Sequence, residues 1–219
     1  MPDATVTYIS VKQALQLTKF LSKILRDKRD SRNEELQQLN STFGDAKALS
    51  LYYVEPKCQE RNPADDNEDD AIVTVRNGIF NQLNFFFNRS FTKRDGDSQL
   101  FILADAGMGK TSLLVMIKLL HLVKFWPSRL NCVLLKLGEN TINELKSIKD
   151  PANTILLLDS LDEDTQAFGN KTNKRLQLLL AQSTNFHRTI ITCRTQFFPA
   201  VEEEAFGKKG SNCSRLVTD

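Results

Sequence analysis

The stretch "ADAGMGKTS" places small residues, a lysine and two hydroxyl side chains at a spacing that can do chemistry. It fits the pattern (A or G)-x4-G-K-(S or T), with Ala104 where glycine is more usual. Small residues let the backbone wrap a phosphate closely, and a helix beginning near Lys110 would add the positive end of its dipole. Lys110 would reach the β- and γ-phosphates, and the Thr111 hydroxyl would bind Mg²⁺. The predicted nucleotide contacts are Ala104, Asp105, Ala106, Gly107, Met108, Gly109, Lys110, Thr111 and Ser112.

Carboxylates follow a second apolar run, "TILLLDSLDED". Asp159 comes at the carboxyl end of a predicted strand, which is the edge of an open α/β sheet where ligands bind. A carboxylate there can hold Mg²⁺ opposite the Thr111 hydroxyl. Glu163 is the predicted base for the attacking water, with Asp162 as a second magnesium or water contact. By itself, an acidic loop after a core strand is common and solvated.

A third apolar run, "RTIITCRTQFFP", ends in Thr192, Cys193 and Arg194. A cationic residue at this edge of the sheet is placed to sense a γ-phosphate and to move after hydrolysis. The alternative is an arginine that closes the strand and pairs with a surface carboxylate. Both interpretations remain open at this stage.

An incomplete guanine-recognition motif indicates which nucleobase the protein prefers. Guanine-specific switches of this class carry N-K-x-D, in which the aspartate reads the base. Here Asn173 and Lys174 are followed by Leu176 where the aspartate should stand, and Asp159 begins D-x-x-D-E rather than D-x-x-G. The sequence therefore favours ATP over GTP.

The elements that must position these residues alternate along the chain. Helical segments are predicted at Lys110 to Lys124, Thr141 to Ile148 and Lys171 to Ala181. Between them lie short and almost wholly apolar strands, which indicates a parallel sheet covered on both faces. The fold class predicted is a three-layer α/β/α fold of the P-loop NTPase type, preceded by a short N-terminal helical segment. The four strands are "LFILA", "NCVLLKL", "TILLLDS" and "RTIITCR".

The region before the loop divides into three parts: residues 1–50 as an N-terminal helical segment, 51–70 as a linker and 71–219 as the NTPase domain. In the first part, two helical stretches ending at Gly44 predict a helical hairpin, or a docking module. "LSLYYVEPKCQ" is predicted to be extended, and "ERNPADDNEDD" is the clearest linker. "AIVTVRNGIFNQLNFFFNRSF" predicts a helix with an aromatic face.

Composition excludes several classes of protein. The formal net charge is +2, and 26% of residues are charged, which argues against a dedicated nucleic-acid surface. Four scattered cysteines and two histidines make a zinc site unlikely to form, and Cys132 and Cys193 are expected to be reduced and buried. The N-terminus lacks the order of a secretory signal, and no run is long enough to span a bilayer. A cytoplasmic location is expected.

Taken together, these residues resemble the NACHT class of STAND ATPases. The resemblance lies in "ADAGMGKTS", in "ILLLDSLDED" with a small residue after the first aspartate and paired acids beyond it, and in "IITCRTQFFP". The upstream "YYVEP" is also similar to the stretch that precedes the phosphate loop in this class. The resemblance covers Tyr52 to Pro199, and the first fifty residues lie outside it.

The resemblance implies an ATP-dependent switch in innate immunity, programmed cell death or antiviral defence, which oligomerises when a sensor domain meets its trigger. It implies that Lys110 binds phosphates, that Thr111 and Asp159 hold magnesium, that Glu163 activates water and that Arg194 senses the γ-phosphate. Expected partners are further copies through the NTPase domain, and proteins bound by the N-terminal helices or by C-terminal domains. The chain ends about twenty residues past Pro199, without room for the helical, winged-helix and sensor domains, so a fragment is expected rather than a natural short protein.

Two rivals remain. The first is an AAA+-like ATPase, which would need an arginine finger acting in trans, with Arg188, Arg194 or Arg215 as the candidates. The second is a non-catalytic interaction module in which nucleotide is only a structural ligand. Glu163 argues against this second alternative, because a module without turnover has no need of a base.

Overall fold

The structure is a computed structural model that describes residues 11–59, 77–88, 98–123, 130–167, 172–197 and 214–218. Of residues 11–25, 59, 172–173 and 214–218 only the backbone is described. The chain divides into two compact units, Met1–Asp45 and Ala46–Asp219. The interpretations that concern residues 60–70, Pro199 and Cys213 fall outside the described residues.

The first unit contains one helix, α1 (Val11–Phe43), of 33 residues. It is continuous, so the predicted helical hairpin is wrong. The physical reason is that no glycine or proline interrupts this stretch, and its middle portion is rich in Arg, Lys, Glu, Gln and Leu, which favour a helix. Gly44 ends the helix with a φ of 89° and an N–H that donates to the Asn40 carbonyl at 3.0 Å.

The second unit begins with helix α2 (Ala46–Tyr52) and strand β1 (Lys57–Gln59). The extended segment predicted here is therefore wrong over its first residues, because Ala, Lys and Leu favour a helix. Residues 57–59, which belong to the predicted linker 51–70, therefore lie inside the sheet. Strand β2 (Asn77–Gly78) then leads into helix α3 (Ile79–Asn88).

Helix α3 confirms the predicted helix with its aromatic residues, and Gly78 lies just outside it. Its first turn is held by Glu55, whose carboxylate accepts the N–H of Phe80 at 2.9 Å. The Pro56 carbonyl accepts the N–H of Ile79 at 3.1 Å. The first turn of the helix is therefore held by the two residues that precede β1.

From here the alternation of strands and helices follows the prediction closely. The strands are β3 (Gln99–Leu103), β4 (Asn131–Lys136), β5 (Thr154–Asp159), β6 (Arg188–Cys193) and β7 (Ser214–Thr218). The helices are α4 (Lys110–Val123), α5 (Thr141–Ser147) and α6 (Thr172–Ser183). Short 3₁₀ turns lie at Pro151–Asn153, Leu161–Glu163, Thr165–Ala167 and Thr195–Phe197.

The sheet has seven strands in the order β2-β1-β7-β3-β6-β5-β4. Strands β7, β3, β6, β5 and β4 run parallel, whereas β1 is antiparallel to both β7 and β2. Because β6 separates β3 from β5, the segments that follow these three strands meet at one edge. Strand β7 was not predicted, because "SRLVT" offers only two adjacent apolar residues.

Helices cover both faces of the sheet, as predicted. Along β3, Leu100 and Ile102 pack with α3 and α4, while Phe101 and Leu103 face α5 and α6. Every residue of β3, β5 and β6 is buried, as expected for a parallel sheet enclosed by helices. Chain connections place α4 on one face and both α5 and α6 on the other, which opens a crevice at the carboxyl ends of the strands.

Candidate nucleotide site

The loop between β3 and α4 is shaped by two glycines and a buried alanine. Gly107 and Gly109 have φ values of 80° and 76°, a region that residues with a Cβ seldom adopt. An added Cβ at Gly107 would meet no atom within 4 Å, so its conformation and not the space around it requires glycine. Ala104 is buried, has no positive φ and donates its N–H to the Cys193 carbonyl at 3.2 Å. A methyl group is therefore tolerated at this position, as the sequence predicts.

Lys110 begins α4 and reaches back over the loop. Its Nζ donates to the carbonyls of Ala104 and Asp105, both at 3.0 Å. The backbone of residues 105–109 is solvent-exposed beneath it. The arrangement leaves an ammonium group inside a turn of exposed backbone, at the N-terminus of a 14-residue helix. Such a site attracts anions through the ammonium charge and the helix dipole together.

The predicted pair of Thr111 and Asp159 is close in space. The Thr111 hydroxyl donates to Asp159 Oδ2 at 2.8 Å, across the 48 residues that separate them. Asp159 is buried, and its Oδ1 accepts from the Thr192 hydroxyl at 3.0 Å. Thr192 was missed in the sequence, since nothing distinguishes this threonine from others that end a strand. It holds the second oxygen of the carboxylate and so fixes the direction of the first.

Ser160 makes a sharp turn directly after Asp159. Its φ of 59° and ψ of 64° are left-handed, and no other non-glycine residue in the described ranges has a positive φ. Its N–H donates to the Thr192 hydroxyl oxygen at 2.9 Å, which ties the turn to β6. The turn aims the following acidic residues toward the crevice rather than along the strand.

Replacement of Ser160 by glycine should stabilise the protein by up to about 1 kcal/mol, because it removes the cost of left-handed backbone in a residue with a Cβ. Urea unfolding would measure the change. Ser50→Gly, in the regular helix α2, is the matched control and should lose up to about 1 kcal/mol instead. A loss of stability in Ser160→Gly would show that the serine hydroxyl contributes more than the backbone costs.

Asp162 and Arg194 form an ion pair. Asp162 Oδ2 lies 2.6 Å from Arg194 Nε, and Oδ1 accepts the Arg194 backbone N–H at 3.0 Å. The Asp162 side chain is 5% exposed, whereas that of Arg194 is 47% exposed. The position of Arg194 is compatible with both alternatives. It pairs with a carboxylate, and it also lies beside the loop.

Glu163 is more open to solvent than its neighbours. Half of its side chain is exposed, and the Nζ of Lys136, at the end of β4, lies 3.9 Å from its carboxylate. Lys136 was not singled out in the sequence, where a lysine at a strand end carries no signal. The position leaves the Glu163 carboxylate free to reorient toward a bound molecule at little cost.

The last acid of the "LDED" run has a different role. Asp164 is buried and pairs with Arg175 of α6 at 2.8 Å, and Arg175 also donates to the Gly138 carbonyl. Sequence analysis missed this pair because a charged pattern does not show which carboxylate faces inward. The pair anchors the segment that carries the two preceding acids.

Other candidates lie elsewhere. Arg188 is buried at the amino end of β6 and donates to the Phe86 carbonyl at 3.1 Å, so it lies at the wrong edge for an arginine finger. The Arg215 side chain lies outside the described residues. Leu176 is buried within α6, so the stretch after Asn173 is a helix and not a loop that reads a base.

Cys193 is the last residue of β6 and lies next to the first residue of the loop. Its thiol is buried, and burial followed by the charge of Asp162 raises its pKa well above the usual range, against smaller opposing influences of Lys110 and Arg194. Within the described residues, Cys58, Cys132 and Cys193 are buried thiols outside any disulfide, as expected for the last two. A thiol that stays protonated serves here as a packing group and not as a nucleophile.

The donors present fit magnesium better than a soft metal. Magnesium takes few protein oxygens and keeps several waters, and a hydroxyl with one carboxylate, from Thr111 and Asp159, suits that habit. Within the described ranges, no three His, Cys, Asp or Glu side chains gather as a metal cluster would require. The same part of the chain contains no helix that is both long and apolar enough to cross a bilayer.

Fold and site together define an α/β domain with a loop shaped by two glycines, and with acidic residues at the carboxyl edge of its sheet. Neither models of known protein families nor curated proteins give a match to this chain. The functional argument therefore rests on the chain's own residues and their geometry.

Proposed function

We propose that this protein contains a P-loop ATPase domain of the NACHT type, which binds Mg·ATP, hydrolyses it slowly and couples its nucleotide state to self-association. The observation that carries the proposal is the 2.8 Å hydrogen bond between Thr111 and Asp159, directly beside the loop that holds Lys110. Two segments 48 residues apart thereby supply the two parts that phosphoryl-transfer chemistry requires.

The phosphate end of the nucleotide would lie over the loop. Lys110 would exchange its two carbonyl acceptors for phosphate oxygens, which carry full charge and bind an ammonium more strongly. Backbone N–H groups of the solvent-exposed residues 105–109 would contact the same oxygens, apart from that of Met108, which donates to the Asp105 carbonyl. Thr111 and Asp159 would hold Mg²⁺, which when bound neutralises charge on the phosphates.

Turnover would depend on Glu163. Its half-exposed carboxylate can leave Lys136, approach a water and accept its proton. Since catalysis in this chemistry is mostly positioning and electrostatic stabilisation, a base that is loosely held gives slow hydrolysis. Slow hydrolysis suits a switch, whose signal lasts as long as ATP stays bound.

Preference for ATP over GTP is part of the proposal. It is supported by the buried Leu176, which stands where a guanine-specific protein needs an aspartate. Coupling to self-association, and a role in immunity or antiviral defence, are supported by the resemblance alone.

Equilibrium binding tests the proposal. Titration calorimetry of the full chain with ATP, ADP and GTP in Mg²⁺ should show ATP and ADP bound and GTP bound more weakly. Lys110→Ala should weaken ATP binding by about 100-fold, because it removes a charge that would be bound to phosphate.

Lys149→Ala is the matched control, since Lys149 is an exposed lysine at the opposite edge of the sheet, just before the turn that leads into β5. It should bind as the unaltered protein does. Absence of ATP and ADP binding by the unaltered protein, or unchanged binding by Lys110→Ala, would contradict the proposal.

A further inference from the structure

The carboxylate of Asp162 is fully engaged by a single neighbour. One oxygen accepts the backbone N–H of Arg194 at 3.0 Å, and the other forms an ion pair with its guanidinium, 2.6 Å from Nε. The hydrogen bond fixes the backbone of Arg194, and the ion pair holds its guanidinium on the Asp162 side. Because its charge is already paired with Arg194, Asp162 is poorly placed to bind magnesium or water as the sequence suggested.

The guanidinium remains able to bind something else. Nε–H is one of five N–H donors, and the four on the two terminal nitrogens form the fork that matches phosphate oxygens. Arg194 is 47% exposed, so a solute in the crevice can reach that fork. A carboxylate on the Nε edge leaves the opposite edge presented in a defined direction, which a free arginine side chain would not maintain.

Arg194 lies at the same edge of the sheet as the loop and the Thr111–Asp159 pair. Arg194 follows Cys193, whose carbonyl accepts the N–H of Ala104, the first residue of the loop. Two residues earlier, Thr192 is bonded to Asp159, which stands opposite Thr111. The guanidinium therefore neighbours the metal-binding pair, where ATP has a third phosphate and ADP has none.

We propose that Asp162 is a positioning residue: it holds Arg194 in the orientation that lets this domain distinguish ATP from ADP. The inference rests on the proposed function, since it concerns the same site. The inference gives two neighbouring acids different roles: Glu163 activates the water, whereas Asp162 orients Arg194. Asparagine at position 162 is neutral, so it can still accept the backbone N–H of Arg194 but can no longer pair with the guanidinium.

Binding constants for Mg·ATP and Mg·ADP test the proposal on the full chain, in Asp162→Asn, in Arg194→Ala and in the double variant. Asp162→Asn should bind ATP about tenfold more weakly, the loss expected for one charged hydrogen bond, and ADP almost unchanged. Arg194→Ala should show at least the same selective loss. In the double variant, replacing Asp162 should cause no further loss of ATP preference, because the guanidinium that Asp162 orients is gone.

Several results would overturn the proposal. An equal loss for ATP and ADP in Asp162→Asn, or a loss that persists in the Arg194→Ala background, would mean that Asp162 acts on the nucleotide or metal directly. Asp150→Asn, an exposed acid before β5, is the control and should change neither constant. If the unaltered chain binds neither nucleotide, the proposed function itself fails; if it binds both while Arg194→Ala changes nothing, only this inference fails.

Arg194→Lys keeps the test valid if Asp162→Asn does not fold, as judged by circular dichroism. Lysine retains the charge and the backbone N–H, but it has neither Nε nor a fork. ATP preference should fall in Arg194→Lys about as far as in Arg194→Ala. An unaltered preference would show that charge alone suffices and that the orientation imposed by Asp162 is irrelevant.

Discussion

Replacement of Arg175 by alanine should lower the free energy of unfolding by about 3–5 kcal/mol, because it leaves a buried carboxylate without its cation. Asp164 is buried, and its Oδ2 would lose its partner at 2.8 Å. Arg175 also donates a hydrogen bond to the Gly138 carbonyl, so the loop after β4 would lose that bond as well. Urea unfolding followed by circular dichroism measures the change.

The exposed pair of Lys136 and Glu163 supplies the control. Lys136 Nζ lies 3.9 Å from Glu163 Oε2, and both side chains are at least half exposed. Lys136→Ala should therefore cost no more than about 1 kcal/mol. A loss in Arg175→Ala that is as small as this would show that water reaches Asp164 and that the pair does not anchor the acidic segment.

The second large effect concerns turnover. Glu163→Gln should lower the rate of ATP hydrolysis by about 100-fold or more, because glutamine keeps the shape of the side chain but cannot accept a proton. ATP affinity should stay within a few-fold, since Glu163 touches neither the loop nor the Thr111–Asp159 pair. Release of inorganic phosphate in single-turnover conditions would measure the rate.

Glu139→Gln makes the same chemical change at an exposed position in the loop after β4 and should hydrolyse ATP normally. If Glu163→Gln keeps its rate, another group accepts the proton. If the unaltered chain binds ATP but releases no phosphate, nucleotide serves as a structural ligand, and the non-catalytic alternative gains support.

Element positions could be predicted well from sequence where apolar periodicity was long and unbroken. The four predicted strands and the helices after them agree with the structure to within one or two residues. Predictions failed where the signal was weak or local: α1 was divided although nothing breaks it, α2 was taken as extended, and β7 went unnoticed. A short edge element depends on its neighbours for stability, and those neighbours are distant in the chain.

The sequence by itself determined which residues gather at the carboxyl edge of the sheet, because parallel strands place the segments that follow them side by side. It thus predicted that Thr111 would meet Asp159. Only the tertiary structure decided which partner each of the four acids in this segment contacts. Asp159 accepts from Thr111, and Asp162 pairs with Arg194. Glu163 stays half exposed, and Asp164 pairs with Arg175. The reason is that a carboxylate's partner depends on its direction, and here the left-handed turn at Ser160 and the packing of α6 set that direction.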